Sequence, residues 1–302
     1  MNVLCSKSMK GVFPAVPTVF DKNGNIQLDD VGNLLEFAKG SKADGAWLHV
    51  IGGEYYKLEL EERKKIIIKS VDLAPQNLPI YVNASSQSLN SSMNIIKLCE
   101  QIGVKGIILN SPFFSPLKGE IEANYKTTRE LISKTLLPII IQIYTDGSDH
   151  GNKYLDFALS RQNVKAVKLE GPGYMELSKK IMRKNEHLSI LGGMYSIELY
   201  QEMKSGFSGT VPGVSIAKRV KEAMTSYERH NMKKFKSCIE RLHKVQQMFI
   251  NNFNSFPYLE RLALYKMGVI GTIGYRMPAV IPSSGVLKKF ENAIEEFLEA
   301  SC

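Results

Sequence analysis

The chain has 302 residues with 44% hydrophobic and 23% charged side chains, enough apolar material for a sizeable core and nothing that suggests a disordered or fibrous class. Its formal net charge of +9 invites a nucleic-acid reading, but the lysines alternate with glutamates, as in Glu61-Glu62-Arg63-Lys64-Lys65, and no basic run or nucleic-acid motif is present. The 4 cysteines, Cys5, Cys99, Cys238 and Cys302, form no CxxC, so neither a disulfide framework nor a zinc site is expected, and no apolar stretch is long enough to span a bilayer. A cytoplasmic protein with no nucleic-acid or membrane partner is the expectation.

Read in order, short β-branched runs alternate with amphipathic helical segments. The strand candidates are Gly11 to Phe20, Gly45 to Ile51, Pro79 to Ala84, Gly106 to Ser111, Pro138 to Tyr144, Val164 to Glu170, Leu188 to Gly193 and Gly209 to Gly213. Helices are expected between them, over Asp29 to Ser41, Glu59 to Leu73, Ser88 to Ile102, Ile121 to Lys134, Lys153 to Ser160, Tyr174 to Lys184, Ser196 to Lys204 and from Ser215 onward. Asp29-Asp30 suits one helix start, Ser88 could cap another, and Leu60, Ile66, Ile67 and Val71 mark an apolar stripe. Strand followed by helix, repeated to Gly213, is the pattern of a (β/α)8 TIM barrel; the doubly wound alternative lacks the Gly-rich dinucleotide fingerprint after its first strand. Residues 1–231 are assigned to the barrel and 232–302 to a helical extension packed on it, with Pro257, Pro278 and Pro282 breaking up its helices.

The sixth run, Asn163-Val-Lys-Ala-Val-Lys-Leu-Glu-Gly-Pro-Gly173, organises the chemistry. Strand alternation puts Ala166, Lys168 and Glu170 on one face and Lys165, Val167 and Leu169 on the other. A lysine held at a strand's C-terminal end among apolar walls loses hydration, which favours the free amine as a nucleophile toward carbonyls. The plainer alternative is a lysine paired with Glu170. Barrel chemistry sits in the loops after the strands, which here include Gly52-Gly53-Glu54-Tyr55-Tyr56, Tyr144-Thr145, Gly192-Gly193-Met194 and Val211-Pro212-Gly213. His49, on the second strand, reads as a packed histidine, and no ligand pair for a metal is present. The aromatics Tyr55, Tyr56, Phe113 and Phe114 read as lining for a loop layer or a subunit contact, while Asp149 and His150 are candidates for contact with a polar substrate tail.

Thr18 and Phe20, Gly53-Glu54 with Leu58 and Glu61-Glu62-Arg63, Ser111-Pro112-Phe113-Phe114, Val167-Lys168, Gly192-Gly193, Gly206 with Gly209, and Arg261 to Gly268 follow one another over nearly the whole length. In order and spacing they resemble the dihydrodipicolinate synthase / N-acetylneuraminate lyase family of pyruvate-type class I aldolases. The resemblance implies an eight-stranded barrel with a C-terminal helical extension, assembled as a homo-oligomer, a dimer or tetramer. It implies a Schiff base between Lys168 and the keto group of pyruvate or another 2-keto acid, with no cofactor beyond that covalent imine. The Gly52-Gly53-Glu54 loop matches the place where family members bind the keto acid's carboxylate, with backbone N–H groups and hydroxyls; Gly193 and Val211 belong to the other loops expected around the substrate. The bland reading of Gly52 and Gly53 is a turn needing positive φ.

Several positions depart from the family pattern. Ile51 and Gly52 stand where two hydroxyl residues usually precede Gly-Glu, Phe113-Phe114 replace a Pro-Tyr-Tyr pair, and Gln142 occupies the place of the catalytic tyrosine. Tyr144, two residues on and of the same strand parity, is the candidate proton shuttle in its stead. No arginine matches the one that dihydrodipicolinate synthases use downstream, where this chain reads Asp146-Gly147-Ser148-Asp149. A Schiff-base aldolase or dehydratase other than a strict dihydrodipicolinate synthase is therefore expected, and a keto-acid-binding protein without turnover is the alternative.

Overall fold

The computed structural model describes residues 9–110, 120–145, 150–185 and 187–299. Its strands are β1 Gly11–Val12, β2 Ala46–Leu48, β3 Ile80–Asn83, β4 Gly106–Asn110, β5 Ile139–Tyr144, β6 Val164–Glu170, β7 Ser189–Gly192 and β8 Gly209–Thr210. The helices that follow them in turn are α1 Asp30–Gly40, α2 Leu60–Asp72, α3 Leu89–Ile102, α4 Glu120–Ser133, α5 His150–Leu159, α6 Tyr174–Lys184, α7 Leu199–Lys204 and α8 Ala217–Glu228. All strand pairs are parallel, in the order β1-β8-β7-β6-β5-β4-β3-β2. Single bridges join Ala15 to Trp47 and to Gly213, bringing the chain after β1 against β2 as well as beyond β8. The first strand is much shorter than the run Gly11 to Phe20 suggested. Pro14 and Pro17 have no N–H to give a ladder, so pairing there reduces to isolated bridges.

A parallel sheet covered on both faces selects apolar runs, and the parity of each residue decides its partner. In β5, Ile139, Ile141 and Ile143 pack outward against the helices, whereas Ile140 faces the interior with Phe13, Trp47, Tyr81, Ile108, Ala166, Leu191 and Val211. The α2 stripe behaves as expected, Ile66 and Ile67 fully inside and Leu60 and Val71 against the same layer. Ser88 Oγ accepts the Ser91 N–H at 3.2 Å and caps α3. Asp29 makes no cap bond; Asp30 instead accepts the Gly271 N–H at 3.1 Å and ties α1 to the C-terminal segment.

That segment contributes α9 Met232–Asn251, α10 Phe256–Lys266 and α11 Ser284–Glu299. Phe235, Leu242 and Phe249 of α9, Leu259 and Leu262 of α10, and Phe290 and Ile294 of α11 share one buried cluster with Val220 and Met224 of α8. Pro257 does not break a helix: it sits in the first turn of α10, where a missing N–H leaves no helical bond unmade. No described helix is long and apolar enough to cross a membrane.

Candidate active site at the C-terminal end of the barrel

Lys168 lies on the inward face of β6, one step above Ala166, and is only 7% exposed. Its Nζ is 2.7 Å from Glu170 Oε1, so the pairing that the sequence left as the plainer alternative is present, inside the barrel mouth. The apolar cage expected around the lysine is replaced on this side by a countercharge. β5 supplies the next contact. Register places Gln142 beside Lys168 and Tyr144 beside Glu170, and Gln142 Nε2 donates to Glu170 Oε1 at 2.8 Å. The other carboxylate oxygen, Oε2, accepts the Met194 N–H at 3.1 Å. Burial alone pushes the Glu170 carboxyl toward its neutral form, but the Lys168 charge and these hydrogen bonds outweigh it, and the net shift is downward.

The two glycines that close β7 make the arrangement possible. A methyl group at Gly193 would lie 2.9 Å from Lys168 Cε and collide with Glu170 Oε2 on the inward side. At Gly192 it would collide with the Glu202 carboxylate on the outward side. Beyond them, Met194, Tyr195 and Ser196 all adopt left-handed backbone conformations, with φ of 46°, 58° and 58°. Three such residues without a glycine are held only by strong surroundings. Here Tyr195 stacks on Phe249 with ring centroids 4.1 Å apart, its hydroxyl donates to Glu260, and Gln246 Nε2 donates to its carbonyl at 2.7 Å. Helices α9 and α10 thus hold the turn that aims the Met194 N–H at Glu170. This turn stands where the sequence suggested the start of the seventh helix.

Tyr144 occupies the rim, 59% exposed, and makes no hydrogen bond among the described residues. Val211 lines the barrel interior below. The Gly52-Gly53-Glu54 segment forms a tight 3-10 turn in which the Gly53 and Glu54 N–H groups donate to Val50 and Ile51 carbonyls at 2.9 Å. Neither glycine has positive φ; the left-handed residue is Glu54, with φ 53°. Gly53 is required for another reason, since a methyl there would sit 2.9 Å from the Val16 carbonyl oxygen. Glu54, a candidate for substrate contact, is buried, with Oε1 paired to Lys57 and Oε2 to Arg261. Its carboxylate therefore ties the loop to α10, with both oxygens engaged by buried cations.

A polar layer that sequence reasoning passed over continues the ring. Asn83 of β3 donates to the His49 carbonyl at 2.7 Å, and Asn110 of β4 donates to the Tyr55 hydroxyl at 3.2 Å. Arg63 reaches the Asn83 and Ser85 carbonyls at 2.6 and 3.0 Å and covers the Tyr55 ring; burial holds its pKa down to about 10. The parity of Asn83 and Asn110, matching Tyr81 and Ile108 below them, was the available signal. His49 is packed and its protonation is disfavoured by burial and by the Arg63 charge, which suits the reading of a structural histidine. Phe113, Phe114, Asp146 and Asp149 lie outside the described residues. Among the described residues no group of three or more His, Cys, Asp or Glu side chains could hold a metal.

Residues 8–297 match the model of the dihydrodipicolinate synthetase family. The chain belongs to this family. A curated 4-hydroxy-tetrahydrodipicolinate synthase from Sulfurovum sp. (strain NBC37-1) is 25% identical over 297 residues, covering 96% of this chain and 97% of the relative. Among solved structures, a sialic acid aldolase from Ruminococcus gnavus superposes with a TM-score of 0.85 at 16% identity, over 96% of this chain and 97% of that one. An N-acetylneuraminate lyase from Mycoplasma synoviae gives a TM-score of 0.81 at 18% identity, over 96% and 98%. One structure of the R. gnavus enzyme is of its catalytic lysine mutant, so that aldolase works through a lysine. Members of the dihydrodipicolinate synthetase family are class I aldolases and lyases built on the TIM barrel, and the eight parallel strands with a helical C-terminal region found here have that architecture.

Proposed function

We propose that the protein is a Schiff-base-forming lyase, an aldolase or dehydratase, that acts on pyruvate or a related 2-keto acid with Lys168 as its nucleophile. The observation that carries this reading is the lysine itself: a primary amine on the inward face at the C-terminal end of β6, 7% exposed, with a carboxylate 2.7 Å away. An imine at C2 of a keto acid is an electron sink, so a proton or a carbon substituent at C3 can leave with its electrons delocalised onto nitrogen. The Gly52-Gly53 turn serves the substrate's carboxylate through the Ile51 and Gly52 N–H groups, because those of Gly53 and Glu54 already donate within the turn. Gln142 and Gly193 shape the lysine's surroundings, and Val211 the floor. The Tyr144 phenol stands at the exposed rim. Assembly into a dimer or tetramer belongs to the same reading.

Reductive trapping tests it. Incubation with pyruvate and borohydride, then with a panel of 2-keto acids, gives a mass increase on Lys168 that disappears in Lys168→Ala. Absence of any such adduct across the panel overturns the proposal. An adduct without proton exchange at the pyruvate methyl group favours a keto-acid-binding protein without turnover, a reading motivated by Gln142, whose amide cannot relay a proton as a phenol does.

A further inference from the structure

We infer that Glu170 is the general acid and base of the lysine imine, the group that carries the proton during imine formation and at C3. The inference rests on the Schiff-base reading above and adds to it a catalytic residue. Three observations lead to it. Glu170 Oε1 is the described partner of the Lys168 amine, at 2.7 Å, within direct proton-transfer range of the reacting nitrogen. Two neutral donors, Gln142 Nε2 at 2.8 Å and the Met194 N–H at 3.1 Å, fix the carboxylate's orientation without neutralising its charge. Gly193, directly after β7, leaves bare the place where any side chain would displace the pair. A simple surface ion pair needs none of this support.

The proton balance closes with these two residues. The Lys168 ammonium passes one proton to Glu170, and the resulting amine attacks C2 of the keto acid. A proton shift from nitrogen to the alkoxide gives a neutral carbinolamine. Glu170 returns its proton to the carbinolamine hydroxyl; the C–O bond breaks, water leaves with its electrons, and the nitrogen lone pair forms C=N. The iminium cation now faces an ionised carboxylate. That carboxylate removes a proton from C3, the C–H electrons become the C2–C3 double bond, and the C=N electrons return to nitrogen as the enamine. Protonation at C3 runs the same step backwards. The role left vacant by Gln142 on β5 is thereby filled from β6.

The experiment compares wild type with Glu170→Gln, Glu170→Asp and Tyr144→Phe, using pyruvate as the probe. Borohydride adducts at Lys168 are quantified by mass, and exchange of the methyl protons in D2O is followed by NMR. Glu170→Gln still yields the adduct after long incubation, while exchange falls by roughly 100-fold or more, the range typical of a lost acid–base group. Glu170→Asp keeps a carboxylate one methylene further from the lysine and recovers part of the loss, which guards against a folding defect in the amide variant. Exchange in Glu170→Gln at the wild-type rate overturns this inference alone, as does a loss confined to Tyr144→Phe. A wild type that forms no adduct overturns the Schiff-base reading and this inference with it, whereas a wild-type adduct without exchange removes the acid–base role and leaves Lys168 as a binding group.

Discussion

Arg261 is 1% exposed, and a guanidinium in that position depends on the few groups that face it. These are Glu54 Oε2, the Thr18 carbonyl at 3.3 Å and the Phe20 ring. Glu54 also holds Lys57, so one buried carboxylate balances two cations from α10 and the second barrel loop. Removing a single partner from such a group leaves charge uncompensated, an effect of about 3–5 kcal/mol. Glu54→Gln is therefore expected to lower the unfolding free energy by that amount and the urea midpoint with it, and an unchanged midpoint would show that the network is dispensable. The motif Gly-Glu was visible in the sequence, but its task was not, because Arg261 lies 207 positions away and only folding brings the two together. Lys168 was legible for the opposite reason. Its parity with Ala166 and its place at the end of a β-branched run are local properties, and they sufficed to put it inside the mouth. Glu170 shares that parity, yet its importance depends on Gln142, and the register between β5 and β6 is not written in either run.

At the scale of elements, the left-handed turn Met194–Ser196 is the piece that joins the helical extension to the lysine. Residues with side chains pay about 1–3 kcal/mol each in such conformations, so the turn persists only while its clamp does. Tyr195→Phe removes the hydroxyl bond to Glu260, whose carboxyl is buried and pushed toward its neutral form by that burial. Ser215 still donates to Glu260 through its N–H at 2.9 Å and its hydroxyl at 2.7 Å, so the fold survives. The expected result is a loss of about 0.5–1.5 kcal/mol in stability, the net contribution of one hydrogen bond whose acceptor keeps its other donors. Slower adduct formation at Lys168 follows, because the Met194 N–H loses its fixed aim. Stability and trapping rate both equal to wild type would refute the clamp. Most elements were readable from periodicity and fall close to their expected bounds, β6 and α6 without a shift. Two departures have separate causes: Pro14 and Pro17 cut the β1 ladder short, and long-range contacts override local helix preference at Ser196, so the seventh helix starts at Leu199.

For the whole molecule, two buried carboxyls set opposite limits on pH. Burial raises the Glu202 pKa from 4.5 to about 8, and the Tyr174 hydroxyl that donates to it at 3.1 Å offsets only part of that. Between those values the folded protein keeps a proton that the unfolded chain has released. Stability then falls as pH rises through this window, by at most about 1.4 kcal/mol per pH unit, and levels off above it. Glu170 behaves the other way: its folded pKa is lowered, so its contribution is present above 4.5 and is lost as pH falls through the folded value. Glu202→Gln is expected to flatten the decline from pH 5 to 8 and to leave the acid limb intact. Urea titrations followed through Trp47, the single tryptophan and wholly inside the barrel, measure both limbs, and an unaltered upper limb in the variant would exclude Glu202 as its source. The paired glycines at the end of β7 and just beyond it give these two acids a further relation. With no side chain at Gly192 or Gly193, the wall between Glu170 and Glu202 is one backbone thick, and the negative charge of the inner acid raises the proton affinity of the outer one. Electrostatic coupling is reciprocal, so a neutral Glu202 eases the ionisation of Glu170. The strand acts as a thin insulating partition across which the lysine's partner can be tuned from the back of the barrel, without any change to a group that substrate would meet.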